Sequence, residues 1–179
     1  NTRLRRDWSS NVCSSDLTIE ILHFLNNKLT IIITTFNRYV YLKRLLEFFS
    51  QSDSEFRIIV LDSSSHDLND KELIQLLNQA NVQHKQYPSE IFIGEKICDG
   101  ASSVETPYSV LCADDDFLIP SSLIKCCDFL DRNQDYISAH GVYFFHRILN
   151  DTDKTISWHV LYPTSRSNEK VSPLARLKY

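Results

Sequence analysis

The 179-residue sequence predicts an α/β domain built on a mostly parallel sheet. Three observations carry that expectation. Short continuous runs dominated by β-branched and other apolar residues have the character of strands buried on both faces. Between them, apolar residues recur at the spacing of an amphipathic helix. The alternation gives a βαβαβ order, which requires right-handed crossovers and places ligands outside the carboxyl ends of the strands.

Taken in order, Asn1 to Leu17 (NTRLRRDWSSNVCSSDL) shows no periodicity and breaks sharply in composition from the TIEILHFL that follows. It resembles translated adapter read-through at the end of an open reading frame, and is expected to be a non-native or disordered extension. The domain is expected to occupy 18–179 and to be truncated at its C-terminus. Leu29 to Phe36 (LTIIITTF) reads as the first strand, and Leu42, Leu45, Leu46 and Phe49 make Tyr39 to Ser50 an amphipathic helix. Phe56 to Leu61 (FRIIVL) is the second strand, ending at Asp62. Leu73, Ile74, Leu76 and Leu77 mark a second helix, and Val82 to Tyr87 a third, shorter strand.

A helix from about Gly94 would present Ile97, Ala101 and Val104 on one face, with Gly100 as an unfavourable interior residue. Tyr108 to Cys112 (YSVLC) forms a fourth strand leading into Asp114, Asp115 and Asp116. Pro120 then opens a helix carrying Leu123, Cys126, Cys127 and Leu130 on one side. Tyr136 to Phe145 is expected to be a further strand, and the pattern from Asn150 onward is mixed and polar.

With 42% hydrophobic and 23% charged residues, the composition is that of a soluble globular protein. A net charge of -4 offers no basic footprint, so nucleic acid is not an expected partner. No apolar run approaches the ~20 residues that span a bilayer. The expected location is therefore the cytoplasm, with peripheral association at the inner face of the membrane left open. Cys13, Cys98, Cys112, Cys126 and Cys127 form no CxxC pair and read as reduced, apolar core residues.

Three polar clusters fall at the carboxyl ends of strands: Thr34 to Arg38, Asp62 to Asp67, and Asp114 to Asp116. In an open parallel sheet they would converge on one crevice. Asp and Asn after a strand are commonly turn residues, so convergence rather than any one cluster carries the functional reading. Hard carboxylate ligands squeezed between Cys112, Ala113 and FLIP suit Mg2+ or Mn2+, whose remaining positions take water and substrate phosphate. Asp62 reads either as an Asx turn or as an acceptor for a base or ribose. Arg38 and Lys96 are phosphate-contact candidates, although for Lys96 a solvated helix-face role is the more ordinary reading. His66, His84, His140 and His146 show no spacing for a metal or a nucleophile triad and read as surface or core histidines.

LTIIITTFNR, FRIIVLDSSS and YSVLCADDDFLIP together resemble the family 2 glycosyltransferases of the GT-A fold, a Rossmann-like three-layer sandwich. In that family the first strand ends in a Pro-Thr-Tyr-Asn-Arg-like turn, matched by Thr34, Thr35, Phe36, Asn37 and Arg38. The second ends in an Asp-Asp-Gly-Ser-like turn, matched by Asp62, Ser63, Ser64 and Ser65. The Asp-any-Asp motif is matched by Asp114, Asp115 and Asp116. The resemblance implies nucleotide-sugar binding by Thr35, Asn37, Arg38, Asp62, Lys96, Asp114 and Asp115, and a metal held by Asp114 and Asp116. A frame shifted by one residue would put Ala113 first and the metal ligand at Asp115. Thr34 replaces the usual proline, and Ser63 and Ser64 replace the second acid and the glycine. No catalytic base is assigned: Asp151, Asp153 and Glu169 lie downstream, none in a recognisable motif.

The implied activity is transfer of a sugar from a nucleotide-sugar donor to a hydroxyl of a glycan or lipid-linked acceptor in cell-surface glycan or polysaccharide synthesis. Inversion and metal dependence are the family expectation. A sugar-phosphate nucleotidyltransferase is a second reading, although TTFNR lacks the glycine-rich loop that chemistry favours. A non-catalytic donor-binding module, with the acids capping the following helix, is a third.

Overall fold

The computed structural model describes residues 28–52, 56–141, 144–148 and 156–160, the last two segments as backbone only. The expected extension at 1–17 lies outside the described residues, as do Asp151, Asp153 and Glu169. The chain divides into two units, Asn1–Asn133 and Gln134–Tyr179.

The first unit is a four-stranded, all-parallel sheet in the order β3-β2-β1-β4, from β1 (Leu29–Thr35), β2 (Arg57–Asp62), β3 (Val82–Gln86) and β4 (Tyr108–Ala113). Four helices alternate with or follow the strands: α1 (Tyr39–Gln51), α2 (Lys71–Leu77), α3 (Ile93–Ser102) and α4 (Pro120–Arg132). Ile31 and Ile33 of β1 and Ile58 and Val60 of β2 point to one face, where they pack with Leu42, Leu45, Leu46 and Phe49 of α1, Leu73 and Leu77 of α2, and Cys127 of α4. The alternate residues Ile32, Ile59 and Leu61 form a smaller cluster on the other face with Tyr87 and Val104. The sheet is thus buried on both sides, which is why its central strands are continuous apolar runs.

Local signals set the element ends. Asp70 caps α2, its Oδ1 accepting the backbone N–H of Glu72 at 2.9 Å and of Leu73 at 3.1 Å. Pro120 occupies the first turn of α4, where its missing N–H costs nothing. Asn37, between β1 and α1, has φ 56°, a left-handed conformation that asparagine tolerates better than most residues.

Three expectations are corrected. The inward face of α3 consists of Lys96 and Gly100 instead of Ile97 and Ala101, and Ala101 is exposed. A Cβ on Gly100 would lie 2.6 Å from Cδ1 of the buried Leu61, so the glycine is what lets α3 approach β2. Residues 136–141 form no strand; Ile137 is 84% exposed, so the apolar residues there have no face to bury. Cys98 is exposed, whereas Cys112 and Cys127 are buried.

In the second unit β5 (Phe144–Ile148) pairs antiparallel with β6 (Ile156–Val160). β6 lies in the stretch whose sequence pattern was mixed and polar. Among the described residues no helix is long and apolar enough to cross a membrane.

Candidate active site

The strand order places β2 and β4 on opposite sides of β1, so the chain leaves β1 in one direction and returns in the other. In open parallel sheets ligands bind at such a switch point, here the carboxyl ends of β1 and β4. Register does the rest. Thr34 pairs with Ala113 and Thr35 with Asp62, so Asp62 and Asp114 flank the end of β1.

On the β4 side, Thr35 Oγ1 donates to Asp114 Oδ2 at 2.8 Å, and both residues are buried. Arg38, immediately before α1, places Nη2 3.2 Å from Asp114 Oδ1 and 2.5 Å from Asp115 Oδ2. Burial pushes the Asp114 carboxyl above its ordinary pKa, with Asp115 adding to the effect and Thr35 and Arg38 opposing it. Asp116 is also raised, by burial first and then by Asp115. Its N–H donates to Ala113 O at 3.2 Å and closes the turn that gathers the three acids. Three carboxylates therefore crowd one turn, countered by the Arg38 guanidinium and, less directly, by the Lys96 ammonium.

On the β2 side, Asp62 is buried with both oxygens engaged. Oδ1 accepts the Ser64 N–H at 2.8 Å, an Asx turn, while Oδ2 meets Tyr39 Oη and His84 Nε2, each at 3.1 Å. Burial alone would raise this carboxyl, but the hydrogen bonds from His84, Ser64 and Tyr39 outweigh it and bring its pKa down to about 2. The two histidines have partners that their spacing did not indicate: His84 is a partner of Asp62, and the exposed His66 places Nδ1 2.9 Å from Asn37 Oδ1.

Between the two sides lies Lys96. The structure overturns its reading as a solvated helix-face residue, since it is 2% exposed. Nζ donates to Ser63 Oγ at 2.8 Å and to the Thr35 carbonyl at 3.1 Å, tying α3 to the ends of β1 and β2. Burial lowers its pKa, and the charges of Asp62 and Asp114 act against that. Asn37 braces the two loops in a similar way. Its Oδ1 accepts the Ser65 N–H at 2.9 Å, and its N–H donates to Ser64 Oγ at 2.8 Å.

Of the sequence-derived candidates, Thr35, Arg38, Asp114 and Asp115 thus form one contact cluster, with Asp116 in the same turn. Asp62, Lys96 and Asn37 lie beside it with their polar groups turned to protein partners. Sequence reasoning missed Tyr39 and His84, and gave Ser63 only as a position of the second-strand turn. Only register could have found His84, which pairs with Val60 and so shares a sheet face with Asp62. A cavity of about 440 Å³ lies at the amino ends of the strands, lined by Thr30, Arg57, Asn81 and Glu105 and by none of Asp62, Asp114, Asp115 or Asp116.

The sequence model of glycosyl transferase family 2 matches residues 30–172. The chain belongs to that family. Among solved structures, residues 1–349 of S. aureus TarS are similar at 22% identity and a TM-score of 0.51, over 60% of this chain and 33% of that one. A second structure of S. aureus TarS matches at 22% identity and a TM-score of 0.49, over 60% of this chain and 20% of that one. The chain thus spans about a third or less of these structural relatives. The likeness to TarS 1–349 is one of fold, in accord with the GT-A architecture expected for family 2. No curated protein matches the sequence.

Proposed function

We propose that this family 2 domain binds a nucleotide-sugar and serves a metal-dependent, inverting transfer of the sugar to a hydroxyl acceptor in cell-surface glycan synthesis, on the cytoplasmic side of the membrane. The observation that carries the reading is the junction of Thr35, Arg38 and Asp114 at the switch point, with Asp115 and Asp116 in the same turn.

The donor chemistry of that turn fits a hard divalent cation. Asp114 and Asp116 both resist ionisation where they sit, so a cation would relieve the repulsion among the carboxylates. Among the described residues no group of three or more metal-ligating side chains is assembled. The carboxylate turn suits Mg2+ or Mn2+, which need only one or two protein carboxylates and complete their shell with water and substrate phosphates. Asp114 and Asp116 would hold the ion, with Asp115 taking a place under the shifted motif frame. When bound, the ion would neutralise charge on the departing nucleoside diphosphate.

The chain's own residues do the remaining work. Arg38 offers a guanidinium beside the carboxylates, able to contact a diphosphate as well as an acid. Thr35 and Lys96 fix the end of β1, so that Asp114 is held at one position relative to Asp62. The Asn37 and Ser64 loops form the side of the crevice nearest Asp62, where a nucleoside would lie.

Calorimetry with nucleoside diphosphates and Mn2+ tests the reading. The wild-type chain should bind in a metal-dependent way, and Asp114→Ala combined with Asp116→Ala should weaken that binding at least tenfold. Metal-dependent binding unchanged by the double substitution would reject the assignment of these acids.

A further inference from the structure

We propose that Arg44, held on the rings of Tyr41 and Phe117, is a receptor for an anionic group, phosphate or carboxylate, carried by the acceptor. Its assignment to the acceptor rests on the glycosyltransferase reading; the anion site itself does not.

The Arg44 guanidinium lies 5.3 Å from the centroid of the Tyr41 ring and 5.2 Å from that of Phe117. Among the described residues no carboxylate forms an ion pair with it, in contrast to Arg38, Lys43, Arg57 and Lys85. A guanidinium stacked on aromatic faces keeps its in-plane N–H donors available, in the fork that matches phosphate and carboxylate oxygens. Stacking also restricts the side chain in advance, so less conformational freedom is lost when an anion arrives.

The platform beneath it is tied to the core by a chain of ring contacts. Phe117 packs edge-to-face on Phe48 at 5.0 Å, Phe48 on Phe49 at 5.4 Å, and Phe49 on the buried Phe56 at 5.7 Å. Phe117 directly follows Asp116, so the same ring that supports Arg44 anchors the carboxylate turn. Tyr41 and Phe117 are 42% and 46% exposed, and Arg44 is itself exposed, so a ligand can reach the cation from solvent.

Ion pairing separates this group from the donor's diphosphate. Arg38 also lies over Tyr41, at 4.7 Å, but pairs with Asp114 and Asp115. Arg44, six residues further along the chain, sits on the rings of Tyr41 and Phe117 with no described carboxylate paired to it. Arg38 meets a diphosphate at the carboxylate turn; Arg44 is left for a second anion, on a ligand reaching the flank of that turn.

The test is an NMR titration of the chain, with the donor site first saturated by Mg2+ and nucleoside diphosphate, following the arginine side-chain N–H signals. Methyl phosphate and acetate serve as separate probes and distinguish the two anion types. At least one should bind saturably and shift the Arg44 signal. Arg44→Ala should weaken that probe roughly tenfold or more, leaving nucleoside diphosphate affinity and melting temperature unchanged. Failure of both probes to bind, equal binding to the variant, or a comparable loss of nucleoside diphosphate affinity would each overturn the proposal. Because nucleoside diphosphate binding is measured separately, its loss in the wild type would count against the donor site alone.

Discussion

At the scale of single residues, the site works by giving similar carboxylates different surroundings. Asp62 accepts hydrogen bonds from His84, Ser64 and Tyr39, all of which favour its charged form. Its carboxylate is therefore held ionised in the fold, with a pKa of about 2 against an ordinary 3.8. A depressed carboxyl stabilises the fold above its unfolded pKa and loses that contribution as pH falls through the folded one. The difference corresponds to about 2 kcal/mol, lost between about pH 4 and pH 2. Asp62→Asn should remove this part of the acid dependence of stability, read from denaturation midpoints across that window. Lys96→Met tests the other buried charge. It removes the donor to the Thr35 carbonyl and Ser63 Oγ, and should cost roughly 1–3 kcal/mol in denaturant unfolding through polar groups left unpaired. An unchanged midpoint would mean that these contacts are solvated in solution.

At the scale of elements, close approach and aromatic anchoring set the crevice. Gly100 lets α3 pack on Leu61 and thereby brings Lys96 to the strand ends. Gly100→Ala gains about 1 kcal/mol of helix propensity, yet should be net destabilising, because overpacking a buried contact typically costs about 1–3 kcal/mol. Adding Leu61→Ala should recover part of the loss caused by Gly100→Ala, a coupling that a double-mutant cycle measures. The elements of the sheet were legible in the sequence because β-branched runs such as LTIIITTF and FRIIVL have few alternatives to a doubly buried strand. α3 was legible in place but not in orientation. Its buried face is a lysine and a glycine, residues that apolar periodicity cannot flag. β6 was not legible at all, since ISWHV sits among polar residues and its pairing with Phe144–Ile148 is a non-local fact.

At the scale of the whole molecule, the strand order turns three separate polar clusters into neighbours. Two parts of that were readable in advance: Thr35, Arg38 and Asp114 to Asp116 meet where strand-end logic puts them. The Asx turn of Asp62 onto Ser64 was readable too, but its other partners were not, because His84 and Tyr39 reach it through sheet register and helix placement, which single-sequence periodicity does not encode. The arrangement also implies competition. Arg38 holds Asp114 and Asp115, so a cation at the turn and Arg38 contend for the same oxygens. Arg38→Gln should therefore tighten binding of Mn2+ alone, read by electron paramagnetic resonance, while weakening nucleoside diphosphate binding in its presence. Weaker binding of Mn2+ alone would show that Arg38 supports the cation site instead of opposing it.

The most direct test of the central claim is a crystal structure of the chain with Mn2+ and a nucleoside diphosphate, located by the anomalous signal of the metal. The account predicts one Mn2+ bonded to carboxylate oxygen of Asp114, Asp115 or Asp116 and to the diphosphate, with the nucleoside toward Asp62. A diphosphate bound away from this turn, or bound in it with no Mn2+ on these carboxylates, would contradict it.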